Sequence, residues 1–370
     1  MRVTIVIPTY NERENVGKTI DGLEKVFPEL PEDQMGILVI DDNSPDGTAG
    51  IVKAKAKQYG NIYLLPNREK KGLGAAYIKA FQYAMAKLNA EAVFEYDADG
   101  SHQPQYIPPM VKLLAGEADV VVGSRYIPGG SMPPDWGAFR KFVSFVGNLI
   151  ARVVLFTPQY TDMTSGFRGS KTKYINQIDL PNLLSKQFAY KIQLYYELHK
   201  LGAKIVEYPI EFIDRDVGKS KFPRNNVRDS LRVVFSLRLR DSQKLIKVMV
   251  VGGVGTIVQL IAFNLLRVGF NLALAQNLSI ELAIISNFIL NNLWTFKENR
   301  FGLNNLNRLI SGFIKFNLLS VGSIVIQNVI LLGGVYLLGR SVLIENGLVL
   351  LGILLGLIWN YLMYTRVVWK

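Results

Sequence analysis

The 370-residue chain contains no cysteine and only two histidines, His102 and His199. Without cysteine it can form neither disulfides nor thiolate metal sites, and it has no thiol nucleophile. Two histidines are also too few for a zinc site built from several imidazoles. These absences direct the search for chemistry towards carboxylates and basic side chains.

Acidic residues are scarce in the last third of the chain. From residue 246 onwards, three acids face nine Lys and Arg residues, and the whole chain carries a formal charge of +12. Such a balance suits a polyanionic partner such as nucleic acid, a nucleotide phosphate or anionic lipid. The first apolar run, Arg2–Pro8, is too short for a signal peptide and predicts a buried strand, so we expect the start of the chain in the cytosol.

Composition changes sharply near residue 245, where long apolar stretches begin. Four of them are about long enough to cross a bilayer: Val248–Leu266, Leu274–Phe296, Phe316–Gly339 and Asn346–Thr365. Basic residues cluster before the first span, between the second and third, and after the fourth, which places both termini on the cytoplasmic side. Matching Lys-to-Gln spacings around Gln259 and Gln327 indicate two duplicated helical hairpins.

The first 125 residues alternate short apolar runs with helical stretches. This alternation predicts a mostly parallel α/β sheet. The predicted strands are Val3–Ile7, Ile37–Ile40, Ile62–Leu65, Val93–Tyr96 and Val120–Val122.

The run from Tyr96 to His102 carries two carboxylates, Asp97 and Asp99, directly after a predicted strand. Residues two apart on a strand share a face of the sheet, and like charges held together require a cation or a proton between them. Ligands of open α/β sheets bind at the carboxyl ends of the strands. We therefore expect a divalent-metal site for an anionic substrate, with an ordinary surface turn as the alternative.

Several motifs together resemble a known family. Pro8–Glu12, Asp41–Ser44 and Asp97–Asp99 are similar to successive signatures of family 2 glycosyltransferases with the GT-A fold. The runs 123–126, 162–168 and 212–221 more narrowly resemble polyprenol (dolichol) phosphate mannose synthases, and 246–370 resembles the four-span GtrA-type membrane domain. The resemblance implies a Rossmann-like GT-A catalytic domain over 1–225, interfacial helices over 226–245 and an all-α four-helix transmembrane domain over 246–370.

The same resemblance implies roles for individual residues. Asp97, Asp99 and Arg125 form the expected catalytic set, with Asp99 the direct ligand of Mg²⁺ or Mn²⁺ and Asp97 beside it at the diphosphate. The remaining expected residues are Pro8, Tyr10, Glu12, Asp42 and Lys71 for the donor, and Arg140, Ser144, Arg215 and Lys221, together with Arg125, for the acceptor phosphate. Ser101 stands where some relatives carry Gln, and Gln193–Tyr195 where others carry Gln-x-Glu; His102 is expected to be structural.

The implied reaction transfers a hexose to the phosphate of a polyprenyl or dolichyl monophosphate, with inversion. Mannose from GDP-mannose is favoured by the run 214–221, and glucose from UDP-glucose is the close alternative. Basic amphipathic stretches at 139–152 and 227–247 favour contact with a bilayer containing anionic lipids. We expect a multi-pass protein of the cell membrane with no nucleic-acid partner; polyprenol length and homo-oligomerisation stay open.

A rival hypothesis makes the chain a transport or scaffold protein for lipid-linked sugars. It rests on polar residues inside the spans, which often mark function: Glu281, Asn287, Asn291, Asn292 and Asn360. Hydrogen bonding between helices explains the asparagines equally well. A processive polymerase with a hydroxyl acceptor is disfavoured, because its Gln-x-x-Arg-Trp signature is absent from the sequence.

Overall fold

The computed structural model describes residues 1–214, 225–301 and 306–363. The chain divides into two compact units, Met1–Arg238 and Leu239–Lys370. The division falls inside the stretch 226–245 that the sequence assigns to a linker, and that stretch is helical over Asn226–Asp241.

The first unit is built on a mixed sheet of seven strands. They are β1 (Arg2–Thr9), β2 (Gln34–Asp41), β3 (Ile62–Pro66), β4 (Ala92–Glu95), β5 (Val120–Ser124), β6 (Arg168–Lys171) and β7 (Ile205–Pro209). Their order is β3-β2-β1-β4-β6-β5-β7, and β6 runs antiparallel to both of its neighbours. The predicted α/β fold class is confirmed, and all five predicted strands are present.

Helices cover both faces of this sheet. Those of the first unit are α1 (Val16–Val26), α2 (Thr48–Tyr59), α3 (Leu73–Lys87), α4 (Ile107–Ala115), α5 (Ala138–Val154), α6 (Thr172–Ile175), α7 (Tyr190–Lys200) and α8 (Asn226–Asp241). Burial on both faces explains why the strands read as continuous apolar runs rather than alternating ones. In β1, Ile5 and Ile7 join the core beneath α1 and α4, whereas Val6 joins the core beneath α3 and α7.

The second unit contains four long apolar helices, α9 (Gln243–Leu266), α10 (Leu272–Leu290), α11 (Leu306–Leu338) and α12 (Val342–Met363). Each is long and apolar enough to cross a membrane, and a π-helical turn extends α10 to Thr295. Within the unit α9 packs against α10, and α11 packs against α12. Among the polar residues of the spans, Glu281 accepts a hydrogen bond from Asn317. The Asn292 side chain donates to the Phe301 carbonyl and accepts from the Phe301 N–H.

A small polar cavity of about 50 Å³ lies among the four helices. Gln259 donates to Gln327 across it, with 2.7 Å between the amide nitrogen and oxygen. The lining positions Gly252, Gly255 and Gln259 of α9 recur 68 residues later as Ser320, Ser323 and Gln327 of α11. The corresponding positions of the two hairpins therefore face one another, as expected for a duplicated pair.

Candidate active site

The two aspartates of the predicted metal site lie at the carboxyl edge of the sheet. Strand β4 ends at Glu95, so Asp97 and Asp99 belong to the turn that follows it and not to the strand. The strand-alternation argument for their common orientation therefore does not apply. Their position is fixed instead by contacts within the turn.

Asp97 is held by side chains from two different segments. The Tyr77 hydroxyl on α3 donates to Asp97 Oδ1 at 3.2 Å, and the Asp97 N–H donates to His102 Nδ1 at 3.0 Å. The His102 ring is buried and stacks on Phe167. Burial lowers the pKa of His102, although the neighbouring Asp97 charge opposes the shift. The imidazole is thus a neutral structural group that accepts a hydrogen bond from the Asp97 N–H.

Asp99 forms a local turn with Ser101. Its Oδ1 accepts from the Ser101 hydroxyl at 2.6 Å and from the Ser101 N–H at 3.2 Å. Ser101 therefore orients the carboxylate at the position where some relatives carry Gln. In the described part of the chain no cluster of three or more His, Asp or Glu side chains forms a complete metal cage. Two carboxylates fit a Mg²⁺ or Mn²⁺ ion whose other ligands are water and substrate phosphates.

A second pair of acids lies at the end of β2, the neighbour of β1 in the sheet: Asp41 is the last residue of the strand and Asp42 follows it. Asp41 Oδ1 accepts from the hydroxyls of Thr9 and Ser44, at 2.9 and 2.6 Å. Asp42 is 8% exposed, and its Oδ1 accepts from Asn67 Nδ2 at 2.6 Å. Burial raises the pKa of Asp42, while the hydrogen bond from Asn67 opposes that shift. A nearly buried carboxylate of this kind suits recognition of a hydrogen-bond donor on a base.

The predicted donor residues near Asp42 occupy different environments. Tyr10 directly follows β1, and Lys70 Nζ lies 3.6 Å from the centre of its ring. Lys71, the lysine selected from the sequence, is two-thirds exposed and pairs with Glu69 at 2.9 Å. The structure thus brings Lys70 rather than Lys71 against the donor residues, and the role of Lys71 stays a prediction.

Pro8 and Glu12 complete the predicted donor set. Pro8 lies within β1, opposite Ile40 of β2. The Glu12 N–H donates to Thr48 Oγ1 at 3.0 Å, and Glu12 Oε2 accepts from Asn15 Nδ2 at 3.0 Å. Glu12 therefore links the loop after β1 to the first residue of α2.

Arg125, directly after β5, is committed to a bidentate ion pair. Its Nε and Nη2 donate to Asp162 Oδ2 and Oδ1, both at 2.7 Å. Nη2 also donates to Thr164 Oγ1 at 3.0 Å. Asp162 is fully buried, whereas the Arg125 side chain is 10% exposed. The guanidinium is consequently rigid, with one edge held by Asp162.

The remaining predicted acceptor residues lie on or near α5. Ser144 shares a 2.7 Å hydrogen bond with the Tyr126 hydroxyl. Arg140 stacks over Trp136, 3.7 Å from the ring centre, and donates to Asp214 Oδ2 at 3.2 Å. Arg215 and Lys221 lie outside the described residues. The structure thus joins Ser144 to Tyr126, the residue after Arg125, and pairs Arg140 with Asp214.

Helix α5 also presents an apolar face to solvent. Phe139, Phe142, Phe145 and Val153 are between 51% and 80% exposed. Asn148, on the opposite side of the helix, is buried and donates to Thr164 Oγ1 at 3.0 Å. Exposed apolar side chains on one face and site contacts on the other are typical of a helix that lies at a membrane surface.

Sequence reasoning missed a buried network that supports the site. Arg168 and Glu95 are both nearly inaccessible, and Arg168 Nε donates to Glu95 Oε2 at 2.6 Å. Tyr190 donates to the other Glu95 oxygen, and Arg168 Nη1 donates to the Lys191 carbonyl at 3.1 Å. The only sequence signal is charge at the edge of an apolar run, which does not distinguish a buried pair from a solvated one.

Comparison with known proteins agrees with this arrangement. Residues 4–178 match the family described as Glycosyl transferase family 2, and residues 248–369 match the GtrA/DPMS transmembrane domain. The second match and the four apolar helices indicate a multi-pass membrane protein.

Three relatives align with this chain over most of their own lengths. Undecaprenyl-phosphate mannosyltransferase of Micrococcus luteus is 38% identical over 221 residues, covering 60% of this chain and 87% of the relative. Polyprenol monophosphomannose synthase of Mycolicibacterium smegmatis is 33% identical, covering 62% of this chain and 84% of the relative. Dolichol-phosphate mannosyltransferase of Pyrococcus furiosus is 28% identical, covering 100% and 99%.

Proposed function

The chain belongs to glycosyl transferase family 2, and from that premise we propose that it transfers mannose from GDP-mannose to the phosphate of a polyprenyl monophosphate. Three relatives carry names for mannosyl transfer involving undecaprenyl, polyprenol or dolichol phosphate. They favour an enzyme over the transport or scaffold hypothesis, and mannose over glucose. The observation that carries the proposal is the Asp97–Asp99 turn at the carboxyl edge of the sheet.

The donor binds across the ends of β1, β2 and β4. Asp42, buried and held by Asn67, faces the base, and Tyr10 with Lys70 borders the same pocket. Asp97 and Asp99 would hold a Mg²⁺ or Mn²⁺ ion, which when bound would supply positive charge for the diphosphate. Tyr77 and Ser101 fix the two carboxylates before the donor arrives.

The acceptor needs no strong general base. A phosphate monoester has its second pKa near about 6 and is largely dianionic at neutral pH. An acceptor oxygen forms the bond to the anomeric carbon while the bond to the diphosphate oxygen breaks, which inverts that centre. Arg125, held by Asp162, and Arg140 position the phosphate in line. The structural role of His102 agrees with chemistry that requires no proton abstraction.

The acceptor phosphate lies at a membrane surface, and helix α5 accounts for access to it. Its exposed phenylalanines insert at the level of the headgroups, while Ser144 and Arg140 on the same helix remain hydrogen-bonded to Tyr126 and Asp214. The basic residues between the second and third spans and after the fourth support a cytoplasmic location for the catalytic domain in this proposal. Anionic headgroups would strengthen the attachment.

Transfer in membranes containing the full-length protein tests the proposal. With labelled GDP-mannose, polyprenyl phosphate and Mn²⁺, we expect label to enter the lipid phase. Asp99→Asn removes a charge from the metal site and should reduce transfer by at least about a hundredfold, the scale of an electrostatic catalytic contact. Glu117→Gln, an exposed acid before β5 that pairs with Lys204, is the matched control and should retain activity.

The outcomes separate the hypotheses. Transfer from UDP-glucose instead would overturn the donor assignment and keep the reaction class. Transfer from neither donor by correctly folded protein would overturn the enzyme. Full activity of Asp99→Asn would show that the Asp97–Asp99 turn is not the metal site.

A further inference from the structure

Lys191 is a buried cation at the candidate site that none of the predicted roles includes. It is the second residue of α7, and the residue is only 5% exposed. A side-chain carbon placed at Gly166 would collide with the Lys191 ammonium and would lie 3.6 Å from Asp97 Oδ2. Gly166 therefore keeps open the space between the ammonium group and the Asp97 carboxylate.

A buried lysine normally has an acidic partner, since an unpaired charge is costly to desolvate. Among the described residues, no carboxylate oxygen lies within 4.0 Å of Lys191 Nζ. The ring of Phe188 is 5.7 Å from it, and its charge contributes to lowering the pKa of His102. The ammonium thus lies among site residues without an ion pair to any described carboxylate.

The position within α7 makes this charge more unusual. A helix N-terminus carries partial positive charge and favours anions, so a lysine in the first turn is electrostatically unfavourable. The N–H groups of Tyr190 and Lys191 donate to the carbonyls of Gln187 and Phe188, at 3.4 and 3.2 Å. Bound anionic oxygen near Lys191 would relieve the unfavourable potential at the helix end.

The surrounding structure fixes Lys191 in this place. Arg168, itself paired with Glu95, donates to the Lys191 carbonyl at 3.1 Å. Tyr190 stacks on Tyr77, whose hydroxyl donates to Asp97. The ammonium and the Asp97 carboxylate are consequently supported by one buried network, so their separation is set before any ligand binds.

We propose that Lys191 is a donor-binding residue whose ammonium group contacts the diphosphate of the nucleotide sugar. This inference rests on the proposed function. Lys191 supplies fixed positive charge opposite the Asp97–Asp99 side of the diphosphate, and the contact strengthens as the leaving group gains negative charge.

Nucleotide binding to the full-length protein tests this assignment. We expect Lys191→Met to weaken GDP binding by about tenfold or more, the scale of one lost charge-assisted contact. Guanosine, which has no phosphate, should bind the variant within about twofold of the wild type, because Asp42, the proposed base contact, is held by Asn67 and not by the network around Lys191. Lys191→Arg should retain most of the GDP affinity.

Lys200→Met is the matched control, since Lys200 is an exposed lysine at the other end of α7. It should bind GDP as the wild type does. If Lys191→Met does not fold, Lys191→Gln provides the same comparison with a polar side chain. Wild-type GDP affinity in a folded, uncharged variant, or equal losses for GDP and guanosine, would overturn the assignment.

Failure of the proposed function gives a different result. A wild-type protein that binds UDP and not GDP has another donor. The effect of Lys191→Met on UDP affinity, compared with its effect on uridine affinity, then decides the role of Lys191. A folded wild-type protein that binds neither nucleotide overturns both proposals.

Discussion

The buried pair of Glu95 and Arg168 gives the sharpest prediction about stability. Glu95 ends β4 and Arg168 begins β6, the strand beside it. Arg168→Met would preserve much of the side-chain volume and remove every charged contact. Glu95, 1% exposed, would then retain the Tyr190 hydroxyl without its cation.

The expected magnitude follows from this burial. Removing one partner of a buried ion pair costs about 3–5 kcal/mol, because the other charge stays desolvated. Replacing both charges by apolar groups is often neutral or stabilising. The double variant Glu95→Leu/Arg168→Met should therefore be more stable than Arg168→Met alone, despite carrying one more substitution.

Unfolding of the full-length protein in detergent measures this ordering through a double-mutant cycle. The control is Lys204→Met, which breaks the exposed pair of Lys204 with Glu117 and should leave unfolding unchanged within error. A loss below about 1 kcal/mol for Arg168→Met would refute the reasoning, since it lies within the range of surface pairs. A double variant as unstable as the single one would show that packing, and not charge, holds the pair.

Two further predictions concern the site, and a third concerns the pH dependence of stability. Lys70→Met should raise the donor KM several-fold through loss of the contact with Tyr10, whereas Lys71→Met should not; equal effects would contradict the observed placement. Tyr126→Phe should raise the acceptor KM about threefold to tenfold with the donor KM unchanged, because the hydrogen bond that orients Ser144 is lost. Burial lowers the pKa of His199 in the folded protein. In the unfolded chain this histidine has its ordinary pKa of about 6.5 and therefore binds a proton more readily than in the folded protein. The free energy of unfolding should therefore fall as the pH decreases through about 6.5. His199→Gln should reduce this slope in unfolding measurements between pH 5 and pH 8, values chosen to bracket about 6.5; an unchanged slope would assign it to other groups.

The strand pattern was readable from sequence because each predicted strand is an apolar run, and four of the five are buried on both faces of the sheet, with the edge strand β3 only partly buried. β6 was not readable, since its sequence Arg-Gly-Ser-Lys contains no apolar residue. Its place depends on tertiary contacts: Gly169 leaves room for the ring of Phe94 on β4, and Arg168 finds its acid there. Strands of this kind are specified by neighbours distant in sequence.

The candidate site shows the same limit at the level of single side chains. The motifs predicted that Asp97, Asp99 and Asp42 lie at the carboxyl edge of the sheet, where the structure has them, because strand ends determine the position of a loop. They did not distinguish Lys70 from Lys71, since loop conformation decides which adjacent side chain turns towards Tyr10. Lys191 was missed because burial of a lysine depends on packing around Gly166 that local sequence does not show.

The site cations differ in how they are paired, and the difference bears on how the two proposed substrates would be held. Arg125 and Arg140 each donate to an aspartate, Asp162 and Asp214 respectively, so part of their hydrogen-bonding capacity is already used. Rigid, partly neutralised arginines suit an acceptor phosphate that must be oriented and still react as a nucleophile, because full neutralisation would weaken its attack. Lys191 has no described carboxylate within 4.0 Å and is the cation proposed for the leaving group, which must be stabilised. In the proposed reaction, negative charge moves from acceptor to diphosphate, which would account for arginines paired with aspartates on one side and, among the described residues, a lysine without a carboxylate partner on the other.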